Sequence, residues 1–291
     1  MKPRYLLSFI LLALVWRAQA DVAIEAPGGE DALMENLRAR LGLAGVACDA
    51  PAWRIRRLFK SAEKDFQPAL RAFGYYSAKL EKKLETGGDC WSATFVFELG
   101  ERVTIRKRTV SVQGDAASDK QLESVLSALP LAEGEPLNHG QYEDIKSSLR
   151  DFATQRGYFD YTLTRNELRV FLDEAAAEVD IEAKSGPRYR FGELRINAVP
   201  LNDDFVRRLA KVQEGEPYDS RVLTAMDRNL SDPGYFRRVE VRALRDESED
   251  ESVPVEVQLE MAQQHAWSFG VGYATDTGPR GTIGYENRYV N

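Results

Sequence analysis

Apolar residues change their spacing abruptly near the middle of the chain. Tyr142, Ile145, Leu149 and Phe152 recur every three or four positions, which predicts one face of an amphipathic helix. After Gly157 the period drops to two: Phe159, Tyr161 and Leu163 alternate with Asp160, Thr162 and Thr164, the pattern of a half-buried strand. Val179, Ile181 and Ala183 alternate with Glu178, Asp180 and Glu182 and predict a further strand. Upstream, residues 108–112 form a short β run, and Gln113-Gly114-Asp115 reads as a turn. Ser118-Asp119-Lys120-Gln121 is a capping-box pattern that opens a helix with apolar positions Leu122, Val125, Leu126 and Leu129, closed by Pro130. The predicted order is β-α-α-β-β.

The same order recurs on both sides. Downstream, a strand over 191–197 precedes a helix marked by Phe205, Leu209 and Val212, then one marked by Val222, Met226 and Leu230. Val239, Val241 and Ala243 line the next strand; Val253, Val255, Val257, Leu259 and Met261 line the last. Upstream, Ala93, Phe95, Phe97 and Leu99 end a first unit whose opening strand is expected near 21–26. Two short words repeat with the units. Gly74-Tyr75-Tyr76, Gly157-Tyr158-Phe159 and Gly234-Tyr235-Phe236 start 83 and 77 residues apart; Gly-Glu-Pro recurs within 133–138 and 214–219. A glycine just past a helix supplies the left-handed backbone that turns the chain, and the aromatic pair is expected to cover the corner between helix and sheet as ordinary core.

Lys2 and Arg4, an apolar run over 5–16, and Ala18-Gln19-Ala20 form a secretory signal peptide over 1–20. Without Lys2, Arg4 and Arg17 the net charge moves from −7 to −10, which argues against a nucleic-acid partner. Cys48 and Cys90 are an even pair in an exported chain, expected as one disulfide, with two buried free thiols as the alternative. His139 and His265 lie on different units and form no zinc spacing, and His139 is expected at the surface. No Gly-x-Ser-x-Gly elbow occurs, and Gly270-Val271-Gly272 lacks the third glycine of a dinucleotide loop. The acidic run 246–251 reads as a solvated hairpin loop. The expectation is a binding protein, not an enzyme, with no cofactor, metal or small-molecule substrate.

At the end of the chain Trp267, Phe269, Val271 and Tyr273 alternate with Ser268, Gly270, Gly272 and Ala274. Asp276-Thr277-Gly278-Pro279 is a turn, and 281–291 begins a second strand of the same kind. Large apolar residues on one side and small ones on the other suit a strand between lipid and a barrel lumen. Tandem βααββ units behind a leader, the glycine–aromatic word at the start of strand two and the Gly-Glu-Pro word before helix two resemble the POTRA domains of the BamA/TamA family of outer-membrane assembly proteins. The layout is then α+β: signal peptide 1–20, POTRA units 21–101, 102–186 and 187–264, and the first one or two strands of a β-barrel over 265–291. Two strands cannot close a barrel, so the chain is expected to be a fragment or a truncation.

Three units ahead of a barrel, and the run 269–280, are similar to the translocation-and-assembly-module (TamA) branch. That likeness implies POTRA units in the periplasm beside the outer membrane, a TamB-like inner-membrane partner, and nascent outer-membrane proteins, including autotransporters, as clients. It also implies that the strand after each glycine–aromatic word is an exposed sheet edge open to β-augmentation: 76–84, 159–165 and 236–244. Lys79, Leu80, Tyr161, Leu163, Val239 and Val241 are the partner-binding positions on those strands. Outward charges at Lys79, Lys83, Arg238, Glu240 and Arg242 discourage self-pairing. Alternatives are a structural scaffold that uses the units as a spacer, or a general BamA-like assembly factor.

Overall fold

The computed structural model describes residues 20–87, 90–276 and 278–288. The expected leader, apart from Ala20, lies outside the described residues, as do Thr277 of the last turn and the final residues 289–291.

Three βααββ modules follow one another. The first holds β1 (Asp21–Glu25), α1 (Asp31–Arg40), α2 (Ala52–Ala72), β2 (Lys79–Glu85) and β3 (Ser92–Glu98). The second holds β4 (Thr104–Gln113), α3 (Lys120–Ser127), α4 (His139–Arg156), β5 (Thr162–Phe171) and β6 (Ala176–Lys184). The third holds β7 (Arg190–Ile196), α5 (Asp203–Ala210), α6 (Ser220–Ser231), β8 (Phe236–Ala243) and β9 (Ser252–Met261). A hairpin of β10 (His265–Ala274) and β11 (Gly278–Asn287) ends the described chain. By packing, the described residues divide into two compact units, one within 1–107 with 131–140 and 169–178, the other within 108–130, 141–168 and 179–291.

Each module puts its last strand in the middle: β1-β3-β2, β4-β6-β5 and β7-β9-β8. In the first and third modules the opening strand runs parallel to the central one, and the second strand runs antiparallel to it. The central strands are the more deeply buried. Ala93, Phe95 and Phe97 in β3, and Val253, Val255, Val257 and Leu259 in β9, are buried, whereas β2 and β8 alternate apolar residues with charges.

Helix α2 closes the first core with Ile55, Ala62, Phe66, Ala69 and Leu70. The Phe66 ring meets Phe95 and Phe97 edge-on at 5.3 and 5.1 Å, and burying one such side chain is worth about 1.5–3 kcal/mol. Cys48 and Cys90 are bonded and tie the loop between α1 and α2 to the start of β3, where Trp91 Nε1 also donates to the Ala47 carbonyl at 3.1 Å.

Some elements differ from the reading of the sequence. Strand β4 begins at Thr104, four residues before the predicted run, because Thr104 bridges to Pro136. The cap of α3 is Asp119, which accepts from Gln121 N–H at 3.0 Å; Ser118 instead bonds the Asp115 carbonyl, since 115–118 form a 3-10 turn. Helix α5 buries Val206 and Ala210, while Phe205 and Leu209 are only half covered. Val212 lies beyond its end, where Lys211 takes a positive φ of 53°. Among the described residues no helix is long and apolar enough to cross a membrane. In the hairpin, Trp267, Phe269, Val271 and Tyr273 share one face and are 63–97% exposed.

Candidate functional site

All three glycines of the repeated word take positive φ: Gly74 at 84°, Gly157 at 83° and Gly234 at 74°. The first two sit at joints between consecutive modules. The Gly74 carbonyl accepts from Val103 N–H at 3.0 Å, and Leu137 N–H donates to the Val103 carbonyl at 2.8 Å. At the next joint the Gly157 carbonyl accepts from Tyr189 N–H, and Tyr218 N–H donates to the Tyr189 carbonyl, both at 2.9 Å. Leu137 and Tyr218 are the residues that follow Gly-Glu-Pro. In both loops the glutamate carbonyl of that word also pairs with the first strand: Ile105 N–H donates to Glu135 and Phe191 N–H to Glu216, each at 2.8 Å. The two repeated words are therefore the two halves of one joint. A Cβ on Gly74 would lie 2.9 Å from the Leu137 carbonyl oxygen, and one on Gly157 would lie 2.7 Å from Tyr218 Cβ. The third corner differs, because nothing lies within 4 Å of a Cβ at Gly234.

An arginine fastens each joint, and the sequence reading missed it. Arg102 Nε donates to the Phe73 carbonyl at 2.8 Å, and its guanidinium lies 5.3 Å over the Tyr75 ring and 2.8 Å from Glu30. Arg188 Nε donates to the Arg156 carbonyl at 3.1 Å, with its guanidinium 5.8 Å over Tyr158 and 3.8 Å from Asp119. The available signal was position, since each arginine stands two residues after a positive-φ glycine, Gly100 or Gly186.

The two joints are filled differently. At the second, Arg156 bridges two helix caps: Nε reaches Asp119 at 2.9 Å and its terminal nitrogen reaches Asp219 at 2.8 Å. Tyr158 hydroxyl donates to Asp119 at 3.0 Å, and Arg221 adds a 2.6 Å contact to Asp219. Burial acts to raise the Asp219 carboxyl, but the bonds from the Arg221 side chain and N–H and from Arg156 outweigh it and hold the group down at about 2. Asp119 is lowered in the same way, burial being outweighed by Arg156, Gln121 N–H and Tyr158. Burial, reinforced by the bond to Asp119, pushes the Tyr158 hydroxyl up to about 12. The first joint instead has Tyr76 hydroxyl 2.7 Å from His139 Nε2. His139 is half-buried in this pair, contrary to the expected surface position.

Two further corrections concern the strands after the corners. Phe159 does not begin a strand. Its ring packs at 5.2 Å on Tyr189 and 4.9 Å on Tyr218, with Arg245 4.3 Å over it, so it joins modules and does not fill its own core. To reach them the chain turns after Gly157, and β5 begins only at Thr162. Tyr161 is thus in the turn, its N–H donating to the Tyr158 carbonyl at 3.3 Å and its hydroxyl buried with no hydrogen-bond partner among the described residues; burial pushes that hydroxyl up to about 12. In the first module β2 begins at Lys79 and not at Tyr76.

Among the described residues, strands β2, β5 and β8 each pair on one side only. Leu80, Val239 and Val241 turn inward onto the cores of their own modules, and Leu163 is half-buried. The borders therefore present main chain and charge. Lys79 pairs with Glu98 at 3.7 Å, Lys83 with Glu85 at 2.7 Å, Arg165 with Asp180 and Glu182 at 3.1 Å, and Arg238 with Glu240 at 3.7 Å; Arg242 also contacts Glu240. Among the described residues no group of three or more His, Cys, Asp or Glu is placed to hold a metal ion.

Residues 22–98 match the family model described as POTRA domain, TamA domain 1, and residues 103–184 and 189–261 match POTRA, surface antigen variable number repeat. Among solved structures the chain is similar to POTRA3-5 of BamA from Haemophilus influenzae, at 18% identity over 85% of this chain and 99% of that one, with a TM-score of 0.43. It is also similar to Haemophilus ducreyi BamA lacking POTRA domains 1-3, at 16% identity over 64% of this chain and 34% of that one, TM-score 0.48. CdiB from Acinetobacter baumannii gives 14% identity over 65% and 35%, TM-score 0.35. The match thus spans about a third of each of these last two chains.

Proposed function

The chain belongs to the POTRA family, and on that premise we propose that it is the periplasmic arm of a TamA-like outer-membrane assembly protein, acting by binding and not by catalysis. In this reading the three modules receive extended segments of outer-membrane clients, autotransporters among them, by β-augmentation. The first module meets a TamB-like inner-membrane protein, and the hairpin of β10 and β11 begins the barrel. The match of residues 22–98 to the first TamA POTRA domain supports the branch. The observation that carries the reading is that β2, β5 and β8 all lie at sheet borders. A border strand offers N–H and C=O groups to any extended chain, so recognition depends little on client side chains. The paired charges on these strands oppose pairing between copies without removing those groups.

The test is photo-cross-linking from the border positions Lys83, Thr164 and Arg242 during client synthesis, with the buried central position Val255 as control. Adducts with β-rich clients are expected at the borders and not at the control; their absence from all three borders sinks the proposal. A second variant, Thr162→Pro, should weaken client capture more than it lowers the melting midpoint. Equal losses would make β5 a structural strand only.

A further inference from the structure

Helix α2 carries an unbalanced cationic stripe. At the helical advance of about 100° per residue, Trp53, Arg56, Arg57, Lys60, Lys64 and Arg71 fall along one line, opposite the face that buries Ile55, Ala62, Phe66 and Ala69. All six are exposed, Trp53 to 65%. None of the five cations pairs with a carboxylate among the described residues. The acids on the same helix are engaged elsewhere: Glu63 holds Lys82 at 3.3 Å, and Asp65 accepts from Ser61 at 3.1 Å. The exposed faces of α4 and α6 mix signs instead, with Glu143, Asp144 and Asp151 beside Arg150, and Asp227 beside Arg228. The stripe stands out further because the whole chain carries −7.

Arg56 and Lys60, Arg57 and Lys60, and Lys60 and Lys64 stand three or four residues apart. Like charges at that spacing destabilise a helix in water, and a sheet of negative charge would relieve them. The row is about 27 Å long, with its one large apolar side chain at the end. A flat anionic surface meets all five cations at once, and an exposed tryptophan is suited to the headgroup level of a bilayer. We propose that this face of the first module rests on an anionic phospholipid bilayer.

The test uses the full chain with vesicles of phosphatidylcholine, with and without phosphatidylglycerol. Exposed Trp267 and Phe269 of the hairpin will take up any lipid, so the readout is the ratio of anionic to neutral binding. Each surface cation contributes on the order of fivefold to that ratio. The triple variant R57Q/K60Q/K64Q should therefore lower it on the order of a hundredfold, R57K should keep it, and added salt should erase it. W53A should remove a blue shift of tryptophan emission seen only on anionic vesicles. All these positions are solvent-exposed, and an unchanged circular dichroism spectrum shows the variants folded. A wild-type ratio of one, or a triple variant that keeps the wild-type ratio, overturns the proposal. So does binding of polyglutamate through the stripe while the vesicle ratio stays at one, which would assign the face to an acidic polypeptide.

Discussion

The joints at Gly74 and Gly157 share a main-chain frame and differ in what fills it. Both use a positive-φ glycine, a knob following Gly-Glu-Pro, and an arginine that bonds the residue before the glycine and covers the tyrosine after it. At Gly157 the knob is Tyr218, and Arg156 ties Asp119 to Asp219. At Gly74 the knob is Leu137, the arginine over the tyrosine pairs with Glu30, and Tyr76 hydrogen-bonds His139. The backbone fixes where the chain turns, while the side chains decide how firmly the turn is held and whether acid loosens it.

The largest break is expected at the glycines. Gly157→Val places a β-branched residue at a φ of 83° and drives its Cβ against Tyr218. A loss of about 3–5 kcal/mol is expected, read as a fall in the melting midpoint. Gly74→Ala should cost about 2–4 kcal/mol, because the obstacle is the Leu137 carbonyl and cannot rotate away. An unchanged midpoint in either variant would remove the frame from the argument.

Next comes the ionic cluster. Asp219→Asn keeps a capping side chain for α6 but leaves Arg156 and Arg221 without that charge, for about 2–3 kcal/mol. The same variant tests pH. Asp219 is held at about 2 against an ordinary 3.8, so its stabilisation is present above the ordinary value and is lost as pH falls from there through 2. Wild type should lose stability over that window faster than Asp219→Asn; parallel titrations would show that the carboxylate does not hold the joint. His139→Ala, at the other joint, should cost about 1 kcal/mol.

The smallest effect sharpens the contrast. Gly234→Ala has the same backbone problem, with a φ of 74°, but meets no neighbour within 4 Å. It should cost about 1 kcal/mol, and a loss as large as that of Gly74→Ala would mean that packing at the joints is not what the glycines serve.

Much of the fold is legible in the chain. Tyr142, Ile145, Leu149 and Phe152 fall on one buried face of α4, and Val253, Val255, Val257 and Leu259 of β9 are buried as their alternation requires, with Met261 partly covered at the strand end. The corner glycines are legible from their place after a helix. The joints are not. Phe159 and Tyr161 continue the alternation of Leu163, yet one packs on Tyr218 and the other sits in a turn. Nothing local to Gly157 names Tyr218 as its neighbour, and the arginines that fasten the joints look like ordinary surface cations in the sequence.

By itself the sequence determined the three βααββ units, their order and the corners between helix and strand, because period, capping and glycine freedom act over a few residues. Only the tertiary structure decided which strand lies at each border, that the two repeated words meet, and that Arg156 links the caps of two helices. Those outcomes depend on contacts between residues tens of positions apart, where packing and hydrogen-bond geometry outweigh any local preference.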